Sequence, residues 1–291
     1  MPFPDHLVSA LEDELRAIAQ AERTLATPLL APFADAVAYP LESGGKRLRP
    51  LLVLATVDAL GGDVRAALPV AAAIEWIHTF SLVHDDLPAL DDDDLRRGRP
   101  TVHVRFGEDV AVLAGDALLN GAYRLVLDRL RAPASRRSAV LRVLAGGVDA
   151  MIRGQYLDVR PPAVPDLAWL REMCSLKTGA LIRASIAAGA ALVGAAPGWE
   201  AAYLAFAAEL GVGFQIVDDV LDATGTDDAL GKPAGSDAAH GKRTYVTVLG
   251  LDAARSLAAE SEMRCDVLAA ALPGTPTLVR AIAARVYARD R

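Results

Sequence analysis

The chain has 291 residues and a formal net charge of −7; 53% of it is hydrophobic and only 5% aromatic. That balance gives no general attraction for nucleic acid or an anionic membrane surface, so an anionic ligand must be held by local cations or bound metal. The two cysteines, Cys174 and Cys265, are too few for a disulfide framework or a zinc cluster and read as core thiols.

Residues 1–23 are acidic and amphipathic and lack the basic and apolar regions of a secretory signal, so the expected location is cytoplasmic. Apolar residues then recur at helical spacing along nearly the whole chain. The pattern predicts helices over 5–26, 48–60, 66–87, 108–131, 135–157, 166–194, 198–224, 244–271 and 276–289. Breakers such as Gly61–Gly62, Pro161–Pro162 and Pro197–Gly198 fall between them, and no segment alternates as a strand would. The expected fold class is therefore all-α, a single-domain bundle of about ten helices over 1–291. The longest apolar run, 180–196, contains Arg183 and is diluted by alanine and glycine, so it reads as a buried helix with no stable membrane insertion.

Two interruptions carry too much charge to be simple connectors. Ser43–Gly44–Gly45–Lys46–Arg47–Leu48–Arg49–Pro50 opens one helix, and 225–244 holds Lys232, Lys242 and Arg243. Basic residues beside glycines let side chains and backbone N–H groups converge on an anion.

The stretch His84 to Gly98 packs six carboxylates and two guanidiniums into fifteen residues, directly after an apolar helical run. Such a cluster repels itself unless cations sit in it. A second acidic group, Asp218–Asp219–Val220–Leu221–Asp222, follows another apolar run, with Asp218 and Asp222 one turn apart on one face. Stacked carboxylates suit a hard divalent ion that keeps open positions, magnesium above all. In the first group Asp85 and Asp91 would lie on different faces of an ideal helix, but Pro88 breaks that helix and allows both to reach one ion. Asp92, seven residues from Asp85, competes with Asp91 for that role. A di-iron carboxylate bundle needs paired Glu-x-x-His motifs, and only Glu75–Trp76–Ile77–His78 fits the pattern.

These segments together resemble the trans-isoprenyl diphosphate synthases, whose fold is the isoprenoid-synthase bundle around a central cavity. The carriers are Gly44–Gly45–Lys46–Arg47–Leu48–Arg49–Pro50, the first aspartate-rich stretch with Arg96–Arg97–Gly98, Gly154–Gln155, Lys177–Thr178–Gly179, Phe214–Gln215–Ile216–Val217 running into the second aspartate group, and Gly231–Lys232. The resemblance implies head-to-tail condensation of isopentenyl diphosphate with an allylic diphosphate, in a homodimer. It implies three magnesium ions shared with diphosphate and held by Asp85, Asp91 and Asp218, with Asp86 and Asp222 as weaker ligands. Lys46, Arg49, His78 and Arg97 would form the isopentenyl diphosphate pocket, while Arg96, Lys177 and Lys232 would grip the allylic diphosphate and Lys242 would be a further diphosphate contact. Lys177, Thr178 and Gln215 would line the reacting centre, with the departing diphosphate taking the proton.

An aromatic ring at Phe80, five residues before Asp85, with Ser81 beside it, resembles the C15 enzymes of this family, so farnesyl diphosphate is the expected product. Geranylgeranyl diphosphate synthase is the alternative within the same chemistry, and a non-catalytic subunit of a prenyl synthase is the alternative of another class. A terpene cyclase would replace the second aspartate group and would not need Lys46 and Arg49. Arg289 and Arg291 read as a solvated tail.

Overall fold

In the computed structural model, which describes residues 5–224 and 243–288, nearly every ordered element is helical. The helices are α1 (Asp5–Leu25), α2 (Ala31–Leu41), α3 (Leu48–Ala59), α4 (Leu68–Asp85), α5 (Val102–Phe106), α6 (Glu108–Arg129), α7 (Ala134–Val159), α8 (Leu167–Cys174), α9 (Ala180–Val193), α10 (Pro197–Thr224), α11 (Tyr245–Leu249), α12 (Leu251–Ala270) and α13 (Thr277–Tyr287). A π-helical turn, Ser175–Gly179, joins α8 to α9 in one continuous rod. An antiparallel hairpin pairs β1 (Leu95–Arg96) with β2 (Arg99–Pro100).

Burial follows pattern. Helix α1 buries one stripe, Leu11, Leu15, Ile18 and Ala19, as an amphipathic surface helix should. In α4 every residue from Val70 to Ile77 is buried, and a helix apolar all round belongs at the centre. Its closest partner is α6, where Gly121 leaves the space that the Trp76 ring fills; a side chain there would overlap the ring. Helix α9 packs on α3, α7 and α10, and α10 also packs on α12. Two helical stretches, Glu108–Arg129 and Leu167–Val193, are long and apolar enough to cross a membrane, but both are packed into this bundle.

Five details depart from the expected elements, the first being the short helix α5, which no predicted span covers. Helix α2 was not among the expected helices; Pro32 sits in its first turn, where no N–H is needed, and Pro40 in its last. Residues 244–271 form two helices, split at Gly250 with φ of +85°. The rod from 166 to 194 contains the π turn. Lastly, the hairpin turn Arg97–Gly98 has φ of +56° and +74°, the paired positive angles of a tight two-residue reversal.

Candidate active site

The first acidic wall is built by the abrupt end of α4. With Pro88 three residues on, the chain leaves the helix at Asp85 and folds back: the Asp91 N–H donates to the Asp85 carbonyl at 2.8 Å, and the Asp92 N–H to the Leu87 carbonyl at 3.2 Å. Asp91 thus comes beside Asp85, while Asp92 sits exposed with φ of +56°. Burial pushes the Asp85 carboxyl up to about 6, Lys177 pulls the other way, and Asp91 adds to the rise. The adjacent Asp86 is buried and faces the hairpin. Arg96 Nε donates to Asp86 Oδ1 at 2.9 Å, and its Nη2 contacts both Asp86 and Asp93.

Opposite the hairpin, the loop before α3 carries its own cations. Arg47 takes the left-handed conformation, φ +48°, which a long side chain adopts only when its contacts hold it there. Glu12 at 2.7 Å, Glu75 at 2.6 Å and the Leu41 carbonyl at 3.1 Å do so. Arg47 is therefore a buried brace, and Arg49 is the arginine presented to the site. Its Nη1 lies 3.4 Å from His78 Nε2 and its guanidinium 5.9 Å from the Phe214 ring centre. Burial draws Arg49 down to about 10, against the pull of Glu75 and Asp218, and its buried Nε has no hydrogen-bond partner. Burial and then Arg49 and Arg97 hold His78 well below its usual 6.5, so the ring is neutral. Arg97 donates to the Gly44 carbonyl, and its guanidinium lies where a side chain on Gly45 would come within 2.7 Å. Lys46 stands on the exposed side of the same loop.

The second wall rests on the π turn. Swelling a helix by one residue is costly and concentrates at functional sites; here two glycines admit it. A side chain on Gly154 of α7 would overlap the backbone of Lys177, and one on Gly211 of α10 would come 3.0 Å from Gly179 Cα. The turn aims Lys177 Nζ at Asp158 Oδ2, 2.5 Å away. Burial opposes that charge, but Asp85 and Asp158 raise the ammonium above its usual range. Thr178 Oγ1 donates to Gln215 Oε1 at 2.7 Å, Gln215 Nε2 donates to Asp219 Oδ1 at 2.7 Å, and the Tyr245 N–H donates to Asp219 Oδ2 at 2.7 Å. Lys177 feels Asp85 and Asp91 on one wall, while its neighbour Thr178 bonds to α10 one turn from Asp218.

The structure therefore gathers Asp85, Asp91, Arg49, His78, Arg97, Lys177, Thr178 and Gln215 around one end of the bundle, with Asp218 acting on Arg49. Phe80 is buried deeper on α4, edge-on to His84 at 4.9 Å. The Ser81 hydroxyl is turned back to the His78 carbonyl at 2.8 Å. Lys232 and Lys242 lie outside the described residues. Asp158, Asp219 and Arg47 were not among the expected site residues. Spacing offered a signal for Asp158, one turn after Gly154, and for Asp219 and Arg47 only adjacency to residues already singled out.

Among the described residues no three His, Cys, Asp or Glu side chains converge on one metal position. Two separate acidic walls suit hard ions whose remaining ligands come from a bound anion's oxygens, as magnesium prefers, better than a closed protein chelate. The donor set fits magnesium on those terms.

Known proteins resemble this chain over most of its length. The polyprenyl synthetase family model matches residues 31–265. The farnesyl diphosphate synthase of Geobacillus stearothermophilus is 48% identical over 231 residues, 77% of each chain. The geranylgeranyl diphosphate synthase of Cyanophora paradoxa is 42% identical over 223 residues, 75% of this chain and 74% of that one. Among solved structures, the Helicobacter pylori geranyltransferase complexed with magnesium and isoprenyl diphosphate superposes with a TM-score of 0.82 at 28% identity, covering 99% of both chains.

Proposed function

We propose that this chain, which belongs to the polyprenyl synthetase family, condenses isopentenyl diphosphate head to tail with dimethylallyl or geranyl diphosphate, giving farnesyl diphosphate and pyrophosphate. The observation that carries the reading is Arg49, a partly buried cation whose buried Nε lacks a partner, beside a neutral His78 and under the pull of Asp218. A buried donor left unmatched is costly, and a phosphate oxygen would satisfy it.

In this reading Lys46, Arg49, His78 and Arg97 hold the diphosphate of the C5 nucleophile, since the planar guanidinium fork matches phosphate oxygens. Lys177, with Arg96 and the Lys232 and Lys242 of the second basic segment, grips the allylic diphosphate. Magnesium, up to three ions held by Asp85, Asp91 and Asp218, supplies the charge neutralisation that lets diphosphate leave. As the allylic C–O bond breaks, the Thr178 hydroxyl and the Gln215 carboxamide face the growing cation; their mutual hydrogen bond fixes them in advance, and fixed dipoles stabilise charge without reorganising. The C5 double bond then attacks, and the departed diphosphate takes the proton, so no side chain is assigned as base. Phe80 is proposed as the floor that stops the chain at C15. The relative that makes geranylgeranyl diphosphate keeps a C20 product as the second reading.

We also read residues 1–291 as one domain. Helix α1, outside the matched span, packs on α2 and α4, and α13 packs on α3 and α10. Exposed apolar side chains on α6 and α7, including Leu113, Leu127, Ile152 and Tyr156, support a homodimer joined through these helices. A cytoplasmic location fits the family reading.

The test is incubation with magnesium and the two C5 diphosphates, with chromatography of the products. A C15 diphosphate with released pyrophosphate is expected. A C20 product would move the chain to the second reading, and a folded chain without turnover would sink the enzymatic proposal.

A further inference from the structure

The loop at 43–47 and the hairpin at 95–100 are far apart in sequence, yet both carry proposed phosphate-binding residues, and one residue, with an arginine stacked on it, links the two. Tyr39, in the last turn of α2, is 5% exposed. The guanidinium of Arg99 lies 4.2 Å from its ring centre and that of Arg105 lies 4.4 Å away, both well inside the range of a cation–π contact. Phe106 meets the same ring edge-on at 5.5 Å. The Tyr39 hydroxyl donates to the Pro100 carbonyl at 2.8 Å. On the loop side, Ser43 Oγ donates to the Tyr39 carbonyl at 3.3 Å and accepts from Arg99 at 3.4 Å.

Two segments therefore meet on the Tyr39 side chain, strand β2 through Arg99 and Pro100 and α5 through Arg105 and Phe106, and the loop joins them through Ser43, which bonds Arg99 and the Tyr39 carbonyl. The hairpin is only two residue pairs long, too short to hold its shape alone. Its turn nonetheless carries Arg97, whose guanidinium must sit against Gly44 and Gly45, and its first strand carries Arg96. Tyr39, Asp86, Arg96 and Arg97 border one hollow, so the platform lies beside the arginines of the hairpin.

We infer that Tyr39 is a positioning residue for diphosphate binding, holding the Arg96–Arg97 hairpin in register with the 43–47 loop through its two stacked arginines. The inference rests on the phosphate-binding role given above to those two segments. It separates the ring, which carries the stack, from the hydroxyl, which adds one bond to Pro100.

The experiment compares Tyr39→Phe, Tyr39→Leu and Arg99→Gln with the parent chain in three measurements. These are KM and kcat with isopentenyl diphosphate, affinity for inorganic pyrophosphate by calorimetry, and the melting temperature. Losing the platform in Tyr39→Leu should raise KM about tenfold, the loss of roughly two exposed cation–π contacts, with kcat within about threefold. Tyr39→Phe should stay within about twofold of the parent, and Arg99→Gln should fall between. Pyrophosphate affinity should weaken in the same order, and this measurement needs no turnover, so it separates failure of the inference from failure of the proposed reaction. A Tyr39→Leu chain that melts earlier but keeps parental KM and pyrophosphate affinity would overturn the inference. Should Tyr39→Leu not fold, parental pyrophosphate affinity in Arg99→Gln would overturn it instead.

Discussion

The two acidic walls begin with the same pair, Asp85–Asp86 and Asp218–Asp219, and in each the second aspartate is buried, at 4% exposure. Their restraints differ. Asp86 is held by a charge, the Arg96 guanidinium from the neighbouring hairpin. Asp219 is held by neutral donors, the Gln215 carboxamide and the Tyr245 N–H. In both walls the second carboxylate is a strut, and the first is the more exposed of the pair. A run of aspartates is therefore not a uniform patch of charge, and each strut ties its wall to a different part of the chain.

Removing the first carboxylate of either pair should have the largest effect. Asp85→Ala or Asp218→Ala should lower kcat by about a thousandfold or more if these groups hold the charge-neutralising ions. Because burial penalises the Asp85 anion, its loss should leave the melting temperature in chelator at pH 7 unchanged or raised. A melting temperature that drops sharply would make Asp85 a strut and break the distinction. Removing a strut should reverse the pattern. Asp219→Ala takes the acceptor from the buried Tyr245 N–H and from Gln215 Nε2, at a cost of about 2–4 kcal/mol in denaturant unfolding. Asp86→Ala should cost less, about 1–2 kcal/mol, since Arg96 keeps Asp93 and partial solvent access.

Deeper on the first wall, Phe80→Ala should alter product and not rate. Truncating a buried ring opens space a longer chain can enter, so chromatography should show C20 diphosphate beside C15; an unchanged C15 profile removes Phe80 as the floor. The smallest effect concerns pH. Below about 6.5 the unfolded chain takes up a proton on His78 that the folded chain refuses, so His78 contributes stability above 6.5 that is lost as pH falls. Asp85 acts in the opposite sense, since its raised carboxyl favours the folded chain as pH falls from about 6 towards 3.8. His78→Gln should therefore remove up to about 1.4 kcal/mol per pH unit of acid sensitivity, read from unfolding midpoints in chelator between pH 6.5 and 5. An unchanged slope would place the acid-labile group elsewhere.

Most of the fold was legible because helical periodicity and breakers agree along the chain, and the effect of Pro88 on the end of α4 was readable from its rigid ring alone. Helix α2 was not, because two prolines tolerable at its termini look the same in a sequence as two that break a helix. The site residues that announced themselves carry charge beside glycine or follow an apolar run. Those that did not are single polar residues whose partners lie far off in sequence. Asp158 needs Lys177 nineteen residues on, Arg47 needs Glu12 and Glu75, and Tyr39 needs Arg99 and Arg105. The π turn was invisible for a related reason, since Gly154 and Gly211, on two other helices, decide whether it fits.

That turn sets the aim of the side chains midway along the rod from 167 to 193. Each residue of an α-helix advances the chain by about 100°, and the π turn takes up one residue without rotating its flanks, so deleting one residue between Ser175 and Gly179 would let the swelling relax into a regular helix with both flanks still docked. Only the side chains inside the turn would be re-aimed: Lys177 would turn away from Asp158, or Thr178 from Gln215. A stretch that looks like plain helix in sequence should therefore survive the loss of one position as a fold and lose the aim of its site residues.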